Sequence, residues 1–319
     1  MKVGLLFDLD GTLLDTLGDL RGSVNAALAQ FGYPQRTLAE IRSFVGTGAR
    51  NLSRLSMPEG KDNVDEVLAA FQAHYKDHCN IETGPYADIP AALEALKSEV
   101  SVPLRCICLD LCENESFDDF RSLLESEKPN VKLLVNAAGF GKFGSYHKVS
   151  LEDDCKMIDL NCKALVLMTR LVLPYMERGS HILQLDSLSA FQPVPYITTY
   201  GASKAFVLSY SRAMNRELKP RGIRMMAMNP GWVKTEFFNH AFQTNGDNEV
   251  QYFNILWEAK DVVATGLKDL YRTKKDYSVH GLRVKLQVLG VKLLPHSMVM
   301  NTWLNQQKNP KNNTGLTTE

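Results

Sequence analysis

The sequence predicts an α/β protein: a doubly wound parallel sheet with helices on both faces and a helical cap inserted near its start. Three observations lead there. An apolar strand at the N-terminus ends in an Asp-Gly turn. About 65 residues of helical periodicity follow. From residue 102 onward, short apolar runs alternate with amphipathic stretches, the pattern of strand, crossover helix and parallel strand.

Lys2 to Asp8 reads as a buried strand, and Asp10-Gly11-Thr12 ends it. Residues 16–82 form the helical cap, and residues 88–98 one further amphipathic helix with Asp and Pro near its start. Strands are then expected at 104–109, 131–136, 181–185 and 222–228. Helices are expected at 116–126, 151–176, 200–219 and 260–271. Residues 282–300 are apolar and suit either the neighbourhood of a pocket or a partner surface. The domains are therefore 1–98, 99–305 and a polar tail, 306–319, in which disorder is expected.

Composition narrows the function classes. The 319 residues carry 36 Lys plus Arg and 36 Asp plus Glu, with 45% hydrophobic and 23% charged residues. Zero net charge argues against a nucleic-acid-coating protein. No apolar run approaches a membrane span, and Asp8 and Asp10 interrupt the N-terminal stretch, so it fails as a signal peptide. Six cysteines in a chain of this length read as reduced cytoplasmic thiols. Cys106 and Cys108 share one face of a strand and lack a second pair at ligand spacing, which disfavours a metal site there.

The string FDLDGTLLDT, Phe7 to Thr16, is dense in chemistry. Asp8 and Asp10 follow an apolar strand, so both can point into the crevice at its carboxyl end. One carboxylate there can attack phosphorus, and the second can protonate a leaving oxygen. The pair repels unless Mg²⁺ lies between it and a phosphate. This string, with Phe44-Val-Gly-Thr-Gly-Ala-Arg50, resembles the first motif and cap of haloacid-dehalogenase-like phosphatases, in particular the phosphoglycolate phosphatase group, over residues 1 to about 98. The resemblance implies Asp8 as nucleophile, Asp10 as acid/base, and both as Mg²⁺ ligands. Gly46-x-Gly48 follows no strand and is not a dinucleotide loop. The later phosphatase motifs are missing. The strand at 104–109 is followed by Asp110, where Ser or Thr is needed. Asp153-Asp154 opens a helix, so favourable charge at a helix N-terminus explains it better than a metal site.

Tyr200-Gly-Ala-Ser-Lys204 opens a long helix, and a spacing of four puts both side chains on one face. A close ammonium is expected to lower the phenol's pKa and make it a usable acid/base. Ser187 follows one strand, Asn136-Ala137-Ala138-Gly139 closes another, Asn161 sits inside a long helix, and Asn229-Pro230-Gly231 with Thr235 follows a third strand. This set closely resembles the short-chain dehydrogenase/reductase family over residues 100–300, which implies a Rossmann-like sheet and an NAD or NADP cofactor. It implies Tyr200 as general acid/base, Lys204 as its partner and a ribose contact, Ser187 polarising a carbonyl, and Asn161 holding a relay water. It further implies cofactor contacts from Asp110, Leu111, Asn136 to Gly139, Pro230, Gly231, Val233 and Thr235. Residues 236–256 would carry the substrate loop, with an apolar pocket from Phe237, Phe238, Phe242, Tyr252, Phe253 and Trp257.

The family's glycine-rich phosphate loop is missing. The chain thus resembles a composite, with strand 3–8 expected in the place of the dehydrogenase's first strand. Its partners would be a small carbonyl or alcohol substrate and a second copy of the chain, without nucleic acid or a membrane span. Three function classes remain open: an oxidoreductase impaired by loss of the glycine loop, a Mg²⁺-dependent phosphatase using Asp8, and a chimeric or mis-joined chain with neither activity.

Overall fold

The structure, a computed structural model, describes residues 3–6, 14–45, 49–78, 84–85, 107, 109–235, 237–242 and 249–308. It divides into two compact units, Asp8–Asp110 and Met1–Phe7 with Leu111–Glu319.

The first strand, β1 (Val3–Leu6), belongs to the larger unit. The smaller unit holds β2 (Leu14–Asp15), α1 (Leu17–Gln30), α2 (Leu38–Phe44), α3 (Ala49–Ser56), α4 (Val64–His78) and β3 (Gly84–Pro85). Apolar residues at helical spacing in α1, among them Leu20, Val24, Ala27 and Leu28, are buried against Ile41, Leu52, Val67 and Phe71. Thr37 starts α2 with a capping box: its hydroxyl accepts from the Glu40 N–H, and the Glu40 carboxylate accepts from the Thr37 N–H. The four helices span Leu17 to His78.

The larger unit continues with α5 (Asn114–Glu127), β4 (Asn130–Asn136), α6 (Leu151–Ile158), α7 (Leu165–Val172), β5 (His181–Leu185), α8 (Thr198–Glu217) and β6 (Arg224–Met228). After these come β7 (Trp232–Val233), α9 (Phe237–Ala241), β8 (Leu256–Trp257), α10 (Ala259–Arg272), β9 (Tyr277–Ser278), α11 (Leu282–Leu293) and α12 (His296–Lys308). Five strands form one sheet in the order β1-β4-β5-β6-β9, every pair parallel. Helices cover both faces, so the strands read as nearly unbroken apolar runs. Met225, Met226 and Ala227 of β6 are fully buried. Each large side chain buried this way contributes about 1.5–3 kcal/mol of transfer free energy.

β1 runs beside β4, so the expectation that the N-terminal strand joins this sheet holds. The strand expected at 104–109 lies outside the described residues apart from Ile107 and Leu109, neither of which is in a strand. The short edge strand β9 escaped the sequence reading. The last described helix, α12, runs through Lys308, and Gln307 turns inward, its Oε1 accepting from the N–H groups of Gln251 (2.8 Å) and Tyr252 (2.9 Å). Asp153 and Asp154 sit in the first turn of α6, as the charge argument requires. Ser150 caps that turn, accepting from the Asp153 N–H at 3.0 Å.

Candidate active site

The candidate residues meet above the carboxyl ends of β4 and β5, the place where open α/β sheets bind ligands. Ser187 follows β5 and starts a short 3-10 turn, Leu188–Phe191, with its Oγ accepting from the Ser189 N–H at 3.2 Å. Tyr200 and Lys204 lie in the first two turns of α8, both buried. Lys204 Nζ donates to Leu185 O at 2.8 Å and lies 5.6 Å from the Tyr200 ring centre. Lys204 therefore ties α8 to the end of β5 rather than gripping the phenol.

That placement corrects the expectation that Lys204 lowers the Tyr200 pKa. Burial pushes the phenol up, a hydrogen bond with Ser187 opposes the rise, and the Asp186 carboxylate adds to it. Lys204 itself is pulled down by burial, and negative charge on Asp186 or Cys162 opposes that pull.

Asn161 lies in a π-helical turn, Asp159–Ala164, between α6 and α7. Such widened turns are frequent at functional sites. The Asn161 amide donates to Phe140 O (2.9 Å) and Ser203 Oγ (3.0 Å), and its oxygen accepts from the Phe140 N–H (3.1 Å). It clamps the loop after β4 to α8. A Cβ at Gly139 would lie 2.9 Å from Asn161 Oδ1 and 3.7 Å from Lys204 Nζ. A Cβ at Gly141 would lie 2.8 Å from a Tyr200 ring carbon. Glycine at both positions lets the backbone approach the site.

Two expected cofactor contacts are engaged elsewhere. The Asn136 amide is buried, donating to Thr169 Oγ1 (3.0 Å) and Gln184 Oε1 (2.8 Å), so its side chain ties β4 to β5 and α7. Asp110 Oδ2 accepts from the Ala49 N–H at the start of α3, at 3.2 Å, within the smaller unit. Leu111 begins the second segment of the larger unit. Pro230 O accepts from the Leu188 N–H at 2.9 Å, which holds Pro230 and Gly231 beside the turn after Ser187. Val233 lies in β7 and Thr235 is exposed. Ala137 and Ala138 follow β4 directly. Asp8 and Asp10 lie outside the described residues. Among the described residues, no cluster of three His, Cys, Asp or Glu could hold a metal ion.

Most of the aromatic residues expected around a pocket form one buried cluster. Phe237, Phe238, Phe242 and Phe253 pack with Tyr200, and Phe143 sits edge-on to Tyr200 at 5.7 Å. Trp257 departs from the expectation: it packs with Val279, Val284 and Val288 in a separate cluster. Phe140, Phe143, Trp232 and Trp303 were not legible as members of this cluster, since only the fold brings them together. Trp303 Nε1 donates to Pro195 O at 2.9 Å, fastening the loop before Tyr200 to α12.

Asp186 also escaped the sequence reading. It is 1% exposed, and its Oδ2 accepts from the Asn229 amide. Its Oδ1 and the Asn229 Oδ1 are buried without a hydrogen-bond partner. Burial pushes the carboxyl up to about 8, against Lys204, the Ser187 N–H and the Asn229 amide. A proton on Asp186 supplies the donor that this acceptor-rich spot lacks.

A doubly wound α/β sheet with Ser, Tyr and Lys converging at its carboxyl edge defines an oxidoreductase class. The family model for short chain dehydrogenases matches residues 80–246, just over half of the chain, and the chain belongs to that family. The model for haloacid dehalogenase-like hydrolases matches residues 5–102, as the composite pattern of the N-terminus suggested. An NADP-dependent 3-hydroxy acid dehydrogenase of Escherichia coli O6:H1 is 37% identical over 169 residues, 51% of this chain and 68% of that protein. A short-chain dehydrogenase from Sphingobium yanoikuyae in complex with NADPH is similar in structure, with a TM-score of 0.52 and 25% identity. The match covers 63% of this chain and 78% of that one. A Burkholderia cenocepacia short chain dehydrogenase in complex with NADP shares the fold, at a TM-score of 0.50 and 18% identity over 64% and 80% of the two chains.

Proposed function

We propose that the protein is an NADP(H)-dependent oxidoreductase that interconverts a ketone and a secondary alcohol flanked by an apolar group. The observation that carries this is the convergence of Ser187, Tyr200, Lys204 and Asn161 around Gly139 and Gly141. The site residues fit the nicotinamide–ribose end of such a cofactor. Gly139 keeps side-chain bulk away from Lys204 Nζ, and the ammonium has donors beyond the one given to Leu185 O. The cofactor, when bound, supplies or accepts the hydride.

The chain's own residues manage the proton. The Tyr200 hydroxyl donates to the carbonyl oxygen in reduction and takes the proton back in oxidation. Ser187 Oγ donates a hydrogen bond to the same oxygen as negative charge develops on it. Lys204, held at the end of β5 by Leu185 O, offers its remaining N–H donors to the cofactor's ribose. Asn161 keeps the Phe140 backbone and α8 in register, so that Tyr200 faces the substrate. Phe143, Phe237 and Trp232 exclude water and accept the apolar flank.

The relatedness to an NADP-dependent 3-hydroxy acid dehydrogenase supports NADP over NAD and makes 3-oxo acids the first substrates to try. NADPH consumption across a panel of 3-oxo acids and aryl ketones tests the reading, beside a thermal-shift series with NADPH. Turnover that disappears in Tyr200→Phe, with the NADPH-induced shift retained, supports it. Neither turnover nor a shift on any substrate overturns it.

A further inference from the structure

Helix α11 is apolar on two opposite sides. Val284, Val288 and Val291 are buried against the body. Leu282, Leu286, Leu289 and Leu293 recur at i, i+4, i+7 and i+11, which places them in one stripe. They are 73%, 60%, 54% and 76% exposed. At 100° per residue the stripe points directly away from the buried valines, so it projects outward as a ridge. Leu294 and Met298, 49% and 55% exposed, extend the apolar surface into the start of α12. Contiguous apolar surface of this kind on a folded chain marks an interaction site.

Charge identifies the partner. The chain as a whole is neutral, yet no Asp or Glu occurs from Tyr277 to Thr318, a stretch that carries Arg283, Lys285, Lys292, Lys308 and Lys311. On the helical wheel Arg283 lies on one side of the ridge, and Lys285 and Lys292 on the other. Arg283 and Lys285 are exposed. Lys292 Nζ donates to Tyr277 Oη at 2.9 Å and lies over the Tyr277 and Phe191 rings. A second copy is a poor occupant. Paired helices with leucine seams place opposite charges along the seam, whereas two copies of this ridge would set cations against cations. A flat anionic surface complements both the leucines and their flanks, which is the composition of a helix lying in a membrane interface.

We propose that the α11 ridge docks the protein peripherally on anionic lipid membranes, with Leu282, Leu286, Leu289 and Leu293 entering the headgroup boundary and Arg283 and Lys285 contacting lipid phosphates. The full chain should co-sediment with phosphatidylcholine vesicles containing phosphatidylserine, less so with phosphatidylcholine alone, and should be released by raised salt. One juxtamembrane cation is worth about 1 kcal/mol, so Arg283→Gln and Lys285→Gln should each lower the partition coefficient about five-fold. Leu286→Ser with Leu289→Ser should abolish binding. These side chains face solvent, so circular dichroism and the NADPH-induced thermal shift should be unchanged, which separates this result from a failure of the active-site reading. Equal binding to both vesicle types, or no binding to either, overturns the proposal. So does a concentration-dependent dimer that Leu286→Ser dissociates in the absence of vesicle binding.

Discussion

Replacing Asp186 by Asn removes one titratable proton from beneath the site and keeps the side chain's shape and its room for the Asn229 amide. The carboxyl is held up to about 8 by burial, against an ordinary value of 3.8. An acid whose pKa is raised by folding keeps its proton where the unfolded chain has lost it. Its contribution to stability is complete below about 4 and is lost progressively as pH rises toward about 8. Over most of that window the folded state holds nearly one extra proton. One extra proton over that span gives a loss of about 3 kcal/mol between roughly pH 5 and pH 7. Groups distant from Asp186 titrate alike in both proteins, so the difference between their stability curves reports on Asp186 and its neighbour Lys204. Urea unfolding at a series of pH values should show wild type losing about 3 kcal/mol relative to Asp186→Asn across that span. Parallel curves would refute the reasoning and mean that the buried carboxyl is ionised throughout. The variant should also show an alkaline limb of kcat shifted to lower pH, since ionised Asp186 favours the charged form of Lys204.

Tyr200→Phe should lower kcat by on the order of 10³ while leaving the melting temperature near wild type, as read by NADPH absorbance and calorimetry. Asn161→Ala leaves the Phe140 N–H and C=O without their partner. It should cost about 2–4 kcal/mol in denaturant unfolding, with Asn161→Asp recovering part of that. Gly141→Ala presses a methyl to 2.8 Å from Tyr200 and 3.0 Å from Phe237. It should lower kcat by about 10- to 100-fold through misplacement of the tyrosine, with the NADPH-induced thermal shift unchanged. An unchanged kcat would show that Tyr200 does not set the rate.

Local signals carried much of this protein in the sequence. Strand and helix periods located the cap helices, β4, β5, β6 and the long helices, because each buries one face or both against a neighbour and repeats its apolar residues accordingly. The Tyr200–Lys204 spacing, Ser187 after a strand and the buried amide of Asn161 were legible for the same reason: each is a polar group in an apolar context that demands a partner. The tertiary structure alone decided which partner. Asn161 bonds the Phe140 backbone and Ser203, Lys204 reaches Leu185 O instead of the phenol, and Asp110 accepts from the Ala49 N–H. Asp186 gave no signal, since its character comes from burial between the ends of β5 and β6. Gln307 read as part of a polar tail and Trp303 gave no signal, and α12 brings them to residues 55 and 108 positions away. Periodicity reports which face of an element is buried. It carries no information about what that face meets, because contacts between distant segments depend on how the whole chain closes.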